Sequence, residues 1–356
     1  MTAFGSPAVW VLLGSHKGDN VQVLALAEDL GLPFRAIDLR YRWFAHVPAV
    51  LRGVCISQLE VDSRSEIGPP WPSLVLGIGQ RSVPVARYIQ RQSRGRAKIV
   101  RVGDPMISPR HFDLVITTTQ YAVRDAHNVL RLPITVSNQD KVRPDRVEQR
   151  WLDGFAHPRR LLVIGGKTSL WRFGPDVIVD AASRLQRRAD LEGGSVIAVT
   201  SPRTSPDLLE AAWASLGEDA VVNGQFPRYG ALLHGADEIH VTGDSVSMLS
   251  DAVVAGKPVG LIPLQPDLLA TAIRAAGRLR GRAFRMRRLD KFWDDLRARG
   301  LVGTIEEPRF GVLDFSAMDR AVGAVRALLD DHLRLPTPIM SSRKSASLPA
   351  QEAAGG

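Results

Sequence analysis

Short apolar runs alternate along this chain with longer stretches in which apolar residues recur every three or four positions, the signatures of strand and helix in turn. Residues 8–13 read as a buried strand. A helix follows from Asp19, with Val23, Leu26, Ala27 and Leu30 on one face. The carboxylate of Asp19 suits an N-cap or first-turn position, where backbone N–H groups lack partners. Residues 34–39, 71–79, 98–102 and 113–117 are further apolar runs, and a helix begins near Pro84, a residue tolerated in a first turn.

Between residues 138 and 160 the pattern dissolves into polar and charged positions, which marks the interdomain connection, part of it helical. The alternation then resumes. Residues 161–165 form a strand, and Ile178, Ala181, Ala182, Leu185 and Ala189 form a helical stripe. A strand at 195–200, a helix at 206–216 and short strands at 220–222 and 238–241 come next. The last of these runs into Thr242-Gly243-Asp244-Ser245, then a helix with Val246, Leu249 and Val253 on one face, stopped by Gly256 and Pro258. Strand-helix-strand cadence predicts an α/β protein whose parallel sheets are covered on both faces. The expected layout is an N-terminal domain at 1–140, a linker at 141–160, a C-terminal domain at 161–335 and a disordered tail at 336–356, poor in apolar residues. Ligands of such sheets gather at the carboxyl ends of the strands.

Composition changes this picture little. A length of 356 residues fits two domains. One cysteine, Cys55, excludes a disulfide framework and a cysteine-rich metal site. No apolar run approaches the ~18 residues of a membrane span, and residues 10–13 are too short a core for a signal peptide. A cytoplasmic location is expected, with peripheral contact at the inner membrane as a further expectation. The net charge of +9 favours acidic partners. Much of it clusters at Arg274, Arg278, Arg280, Arg282, Arg285, Arg287 and Arg288, which reads either as a solvated basic face or as a contact for anionic lipid. No nucleic-acid module is present in the sequence.

The loops narrow the chemistry. Gly165-Gly166-Lys167-Thr168-Ser169 has the look of a phosphate loop, but Leu161 stands where the first glycine of the P-loop belongs. No G-x-G-x-x-G opens a helix, which argues against a nicotinamide enzyme. There is no Asp-x-Asp and no His-Glu-x-x-His, so no metal is expected. Three hydroxyl-rich loops fall at successive strand ends in the second half: Lys167-Thr168-Ser169, Thr200 to Thr204 through Ser201 and Arg203, and Thr242 to Ser247. Helix N-termini, hydroxyls and arginines in such loops suit a diphosphate carrying a sugar.

The segment from Ser247 to Pro263, S-x-x-S-D-A-x-x-A-G-K-P-V-x-x-x-P, resembles the nucleotide-sugar signature in the second domain of GT-B glycosyltransferases. The resemblance implies two facing Rossmann-like domains with a cleft between them, and puts Asp251 on the ribose hydroxyls. Across residues 8 to 330 the chain is also similar to the mitochondrial-fission "elongated mitochondria" family, some bacterial members of which go under the description nucleoside-diphosphate-sugar epimerase. The motifs that carry this are Gly18-Asp19-Asn20-Val21-Gln22, Pro70-Trp71-Pro72, Gly79-Gln80-Arg81-Ser82 through Arg87, Phe112-Asp113-Leu114-Val115 with Gln120-Tyr121, Gly165-Gly166, Thr200 to Thr204, and Val241 to Met248. Phe226-Pro227-Arg228-Tyr229 and Lys167-Thr168-Ser169 depart from the family pattern.

These readings imply a metal-independent glycosyltransferase that uses a nucleotide-diphospho-sugar as substrate and needs no cofactor. Gly165, Gly166, Thr168, Ser169, Thr200, Ser201, Arg203, Thr204, Thr242, Gly243, Asp244, Ser245, Ser247, Met248 and Asp251 are expected on the nucleotide-sugar side. Lys17, Gly18, Gln22, Gly79, Ser82 and Tyr121 are expected on the acceptor side, with a lipid-linked or cell-envelope acceptor in view. Asp19 or His16 would be the general base, and Arg81 would offset charge on the departing diphosphate. The alternatives are a binding or scaffold protein that kept the fold without turnover, recruiting partners to a membrane, and an epimerase.

Overall fold

Six parallel strands form the first sheet: β1 (Val9–Leu13), β2 (Phe34–Asp38), β3 (Leu74–Gly77), β4 (Lys98–Val102), β5 (Leu114–Thr117) and β6 (Val129–Arg131). Their order is β2-β1-β3-β4-β5-β6. The computed structural model describes residues 8–14, 17–42, 53–168, 171–269, 272–273, 276 and 287–334, with only the backbone of residues 17, 140 and 331–334. Helix α1 (Lys17–Leu30) buries Val23, Leu26, Ala27 and Leu30, the stripe read from the sequence. Short helix α2 (Val61–Ser65) precedes β3, and α3 (Ser82–Gln92) starts two residues before Pro84. The inner strands β1, β3, β4 and β5 carry almost no exposed surface at their centres, as both-face coverage requires, while the edge strands β2 and β6 are partly open.

A second parallel sheet is built from β7 (Arg159–Ile164), β9 (Ser195–Thr200), β10 (Val221–Val222), β11 (Glu238–Thr242) and β12 (Val259–Ile262), in the order β10-β9-β7-β11-β12. Strands β8 (Trp171–Arg172) and β13 (Gln265–Pro266) make a small antiparallel pair. Helices α5 (Pro175–Glu192), α6 (Pro206–Leu216), α7 (Tyr229–Gly235), α8 (Val246–Val254) and α9 (Leu289–Ala298) complete this domain. All five apolar positions predicted for the first of them are buried. The connection between the sheets is partly helical: a 3-10 turn at Gln139–Lys141 and α4 (Arg146–Leu152), opened by a capping box of Asp145 and Glu148.

The last helix among the described residues, α10 (Ala317–Arg334), follows the second domain in sequence yet packs on α1 and β5 of the first. Arg326 Nη2 donates to the Leu30 carbonyl at 3.2 Å across that contact. The chain therefore crosses between the domains twice, and the second crossing has no counterpart in the expected layout. The tail from residue 336, the basic positions Arg274, Arg278, Arg280, Arg282 and Arg285, and the site candidates His16 and Ser169 lie outside the described residues.

In each sheet strand order reverses direction once, between β1 and β3 in the first and between β7 and β11 in the second. Parallel sheets open a crevice beyond the carboxyl ends of their strands at such a point. Both crevices border one space.

Candidate functional site

A cavity of about 1100 Å³ lies between the two domains. Its first-domain wall includes Gly18, Asp19, Gln22, Gly79, Arg101 and Tyr121, and its second-domain wall includes Thr200, Ser201, Arg203, Ser245, Ser247, Met248 and Asp251. The β1–α1 loop is closed by Asn20 rather than Asp19: its side chain accepts from Gly14 N–H at 2.9 Å and donates to the Gly14 carbonyl at 2.8 Å. Asp19, in the first helical turn, is left on the cavity wall.

Helix α8 presents its N-terminus to the same space. Ser245 is its N-cap, with the side-chain oxygen accepting from Met248 N–H at 3.4 Å. Gly256, at φ +68°, takes the left-handed turn that ends the helix before β12. One turn in, Asp251 faces the cavity and accepts from Ser137 Oγ at 2.6 Å. Burial pushes its carboxyl up to about 7, and the Ser137 bond pulls the other way. The neighbouring Tyr229 hydroxyl is buried with no hydrogen-bond partner among the described residues. Burial first, and the Asp251 charge second, push that phenol well above its ordinary range.

Several predicted ligand contacts stand behind the wall instead. Thr242 and Asp244 are fully buried, and they tie strand end to strand end. Gly165 N–H donates to Thr242 Oγ1 at 2.9 Å, Gly166 N–H to Asp244 Oδ2 at 2.9 Å, and Thr242 Oγ1 to Asp244 Oδ1 at 2.7 Å. Those amides are already satisfied and cannot cradle a diphosphate. Gly165 and Gly166 are glycines because a Cβ would strike the Asp244 carboxylate in one case and the Arg203 backbone in the other. Gly243 backs onto the Trp293 ring, whose Nε1 donates to its carbonyl at 3.0 Å. Thr204 Oγ1 donates to the Gly165 carbonyl at 2.6 Å. Ser82 is buried, bonding the carbonyls of Ile78 and Gly79, and Thr168 is not part of the wall. Arg81 also stands off it, over the Tyr41 ring at 5.5 Å. Asp244 and its partners shape the site from below, and Arg203, whose guanidinium lies 3.7 Å from Asp244 Oδ2, reaches the cavity.

Of two further arginines on the wall, Arg101 had no role in the sequence reading and Arg228 entered it only as a departure from the family pattern. Arg101 is 3% exposed at the carboxyl end of β4. Its Nη1 donates to the Gly79 carbonyl at 2.9 Å and to Ser82 Oγ at 3.1 Å, and its Nη2 and Nε donate to the Asp104 carbonyl at 2.7 and 3.1 Å. Burial lowers its pKa to about 10, outweighing Tyr121, Asp104, Asp19 and Tyr41. A charged residue inside the apolar run K-I-V-R-V was the available signal. Arg228 joins the wall next to Tyr229, and its guanidinium bonds the buried Glu148 of α4 at 2.6 and 2.8 Å. Among the described residues no cluster of His, Cys, Asp and Glu could hold a metal ion, and no helix is long and apolar enough to cross a membrane.

A model of the family described as mitochondrial fission ELM1 matches residues 17–328. The chain belongs to that family. Within it, the mitochondrial fission protein ELM1 of Arabidopsis thaliana is 27% identical over 220 residues, covering 54% of this chain and 51% of that one. The match thus spans about half the length of the ELM1 relative. Among solved structures, the UDP-GlcNAc 2-epimerase from Methanocaldococcus jannaschii superposes at a TM-score of 0.51, with 9% identity over 90% of this chain and 99% of that one. The UDP-GlcNAc 2-epimerase from Neisseria meningitidis bound to UDP-GlcNAc gives 0.50, with 9% identity over 91% and 99%. At such identity the ELM1-family chain shares their fold alone: two Rossmann-like domains facing across a cleft, the GT-B-like arrangement.

Proposed function

We propose that this ELM1-family protein binds a nucleoside-diphosphate sugar in the interdomain cavity and transfers the sugar to an acceptor hydroxyl without a metal. The observation that carries this is the joint presence on one wall of the α8 N-terminus and Asp251. A helix N-terminus attracts an oxyanion through its outward N–H groups and dipole. A carboxylate one turn further accepts hydrogen bonds from a vicinal diol such as ribose. Ser245, Ser247 and Arg203 add hydroxyls and a cation for the diphosphate, a role we move from Arg81 to Arg203. The UDP-GlcNAc bound by the Neisseria meningitidis epimerase supports the cleft of this fold as a nucleotide-sugar site by analogy.

The reaction balances with the residues on the walls. The acceptor hydroxyl attacks the anomeric carbon and gives its proton to the Asp19 carboxylate. The bond from that carbon to the diphosphate breaks, and its electron pair leaves with the nucleoside diphosphate, whose growing charge faces α8 and Arg203. The cavity exceeds the roughly 300–1000 Å³ of a single small-molecule pocket, which leaves room for donor and acceptor together.

Thermal shift with UDP-, GDP- and ADP-sugars tests the binding step. Stabilisation by one donor, lost in Asp251→Ala, supports it. Release of nucleoside diphosphate on addition of a lysate-derived acceptor, abolished in Asp19→Asn, supports transfer. No shift with any donor, together with binding to anionic vesicles, would instead favour a scaffold.

A further inference from the structure

We infer that the first-domain half of the cavity holds a second oxyanion site, centred on Arg101, which takes a phosphate or carboxylate carried by the acceptor. This rests on the assignment of the nucleotide to the opposite wall.

Arg101 is a nearly fully buried guanidinium on a cavity wall, and each hydrogen bond described for it goes to a neutral oxygen. Joining the Gly79 turn to the Asp104 turn does not by itself require a cation. Removing a positive charge from water is costly unless an anion compensates it. The acids nearby, Asp19 and Asp104, do not offset that cost, since burial still wins at this group. Asp104 Oδ1 is engaged by Met106 N–H at 2.8 Å.

The surrounding wall adds the other parts of an anion site. Arg287 brings a second guanidinium, steadied by its Nε bond to Gln120 Oε1 at 2.9 Å and lying 6.0 Å over the Tyr121 ring. At the end of β5, Thr117 and Thr118 are 2% and 4% exposed, and neither hydroxyl has a hydrogen-bond partner among the described residues. Both residues border the cavity, as does Asp19. Two guanidinium groups and two orphan hydroxyls match an oxyanion better than a neutral polyol, because charge-assisted bonds are about twice as strong as neutral ones. An acceptor anchored there through its anionic group would keep its hydroxyl on the Asp19 side.

The test uses the full chain saturated with UDP, which blocks the opposite wall. N-acetylglucosamine 1-phosphate, glucuronate and neutral N-acetylglucosamine are then titrated by calorimetry. At least one of the two anions should bind the UDP-loaded protein, and the pair separates phosphate from carboxylate, while the neutral sugar should not bind. Arg101→Gln should abolish that binding and Arg287→Gln weaken it about tenfold or more, the scale of one hydrogen bond to a charged group, with UDP affinity unchanged in both. Should Arg101→Gln fail to fold, Arg287→Gln combined with Thr118→Val decides. The inference is overturned if neither anion binds beside UDP, if the anions compete with UDP, if the neutral sugar binds equally, or if the variants bind as wild type. If UDP itself does not bind, the nucleotide assignment fails, and the anions are titrated into the free protein. Loss in Arg287→Gln but not in Arg203→Gln then still supports the Arg101 site, and the converse overturns it.

Discussion

Ser137 Oγ donates to Asp251 Oδ1 at 2.6 Å, so a residue of the segment leaving the first sheet orients the acid of α8. A second bond, Thr135 N–H to Ser250 Oγ at 3.0 Å, ties the same two elements. The interdomain connection therefore helps to build the cavity wall as well as joining the domains.

Asp251 should trade stability for binding. Its folded pKa of about 7 stands above the ordinary 3.8. Between those values the native state holds a proton that the unfolded chain has released, so this group's contribution to stability falls as pH rises through the window and stays low above it. Asp251→Asn removes that loss. The ligand-free variant should melt higher than wild type at pH 8.5, with little difference at pH 4, while the shift produced by a nucleotide sugar disappears. Melting curves at the two pH values, with and without ligand, check both halves. A variant less stable than wild type at pH 8.5 would mean that the carboxylate is better compensated than burial suggests.

Strand and helix were legible where burial is uniform. The stripe Ile178, Ala181, Ala182, Leu185 and Ala189 and the run 195–200 fall where the periodicity puts them. What pattern could not reveal was which polar residues at the strand ends face the ligand space. Thr242, Asp244 and Ser245 fall within four residues and all offer side-chain oxygens, yet two face inward to Gly165 and Gly166 and one opens to the cavity. That choice is made by the close approach of β7 to β11, a contact between residues almost eighty positions apart. Ser137 and Tyr229 are the same case, since their significance exists only once α8 is beside them. The return of α10 to the first domain was hidden for a different reason: an amphipathic helix fits any apolar surface, and only the tertiary fold says which.

Gly166 and Gly323 should respond oppositely to the same substitution. A Cβ on Gly166 would press on the Arg203 backbone, which cannot rotate away, and Gly166→Ala should cost about 1–3 kcal/mol, the range for overpacking. Gly323 lies exposed inside α10 with nothing within 4 Å of its would-be Cβ. There Gly323→Ala should stabilise by about 0.5–1 kcal/mol, because alanine is the better helix former. Urea denaturation of the two variants measures both signs. Equal effects would show that the Gly166 contact relaxes.

The Arg228–Glu148 pair should be asymmetric. Glu148 is buried, and the Arg228 bond first, with the backbone bonds of Asp145 and Arg228, holds its carboxyl at about 2 against the pull of burial. Arg228→Ala leaves that carboxylate in place without its cation, whereas Glu148→Ala leaves an arginine that can turn to the solvent of the cavity. Removing one member of a pair is worst when the survivor is the buried one. Arg228→Ala should therefore lower the melting temperature more than Glu148→Ala, even though the latter also loses half of a capping box. Equal losses in a double-mutant cycle would place the worth of the pair in the cap instead.

Acid should unfold the protein in two stages through the cluster at the start of β11. His240 is fully buried, and burial lowers its pKa despite the Glu238 carboxylate 3.2 Å from Nε2. Its neutral form is favoured by folding, so that contribution is complete above about 6.5, the ordinary imidazole value, and declines as pH falls below it. For Glu238 burial alone would raise the pKa, but the bonds from His240 and from Arg188, at 2.8 and 3.1 Å, win and hold it at about 2. A depressed acid stabilises above its unfolded pKa, 4.5 here, and the contribution is lost as pH drops through 2. In Asp251→Asn, where the opposing slope of that acid is absent, melting temperature should accordingly slope gently between pH 6.5 and 4.5 and steeply below 4.5. Glu238→Gln should flatten the steep limb while lowering stability at pH 7, where the carboxylate no longer compensates Arg188. An unchanged steep limb in that variant would assign acid unfolding to other carboxylates, Glu148 first among them.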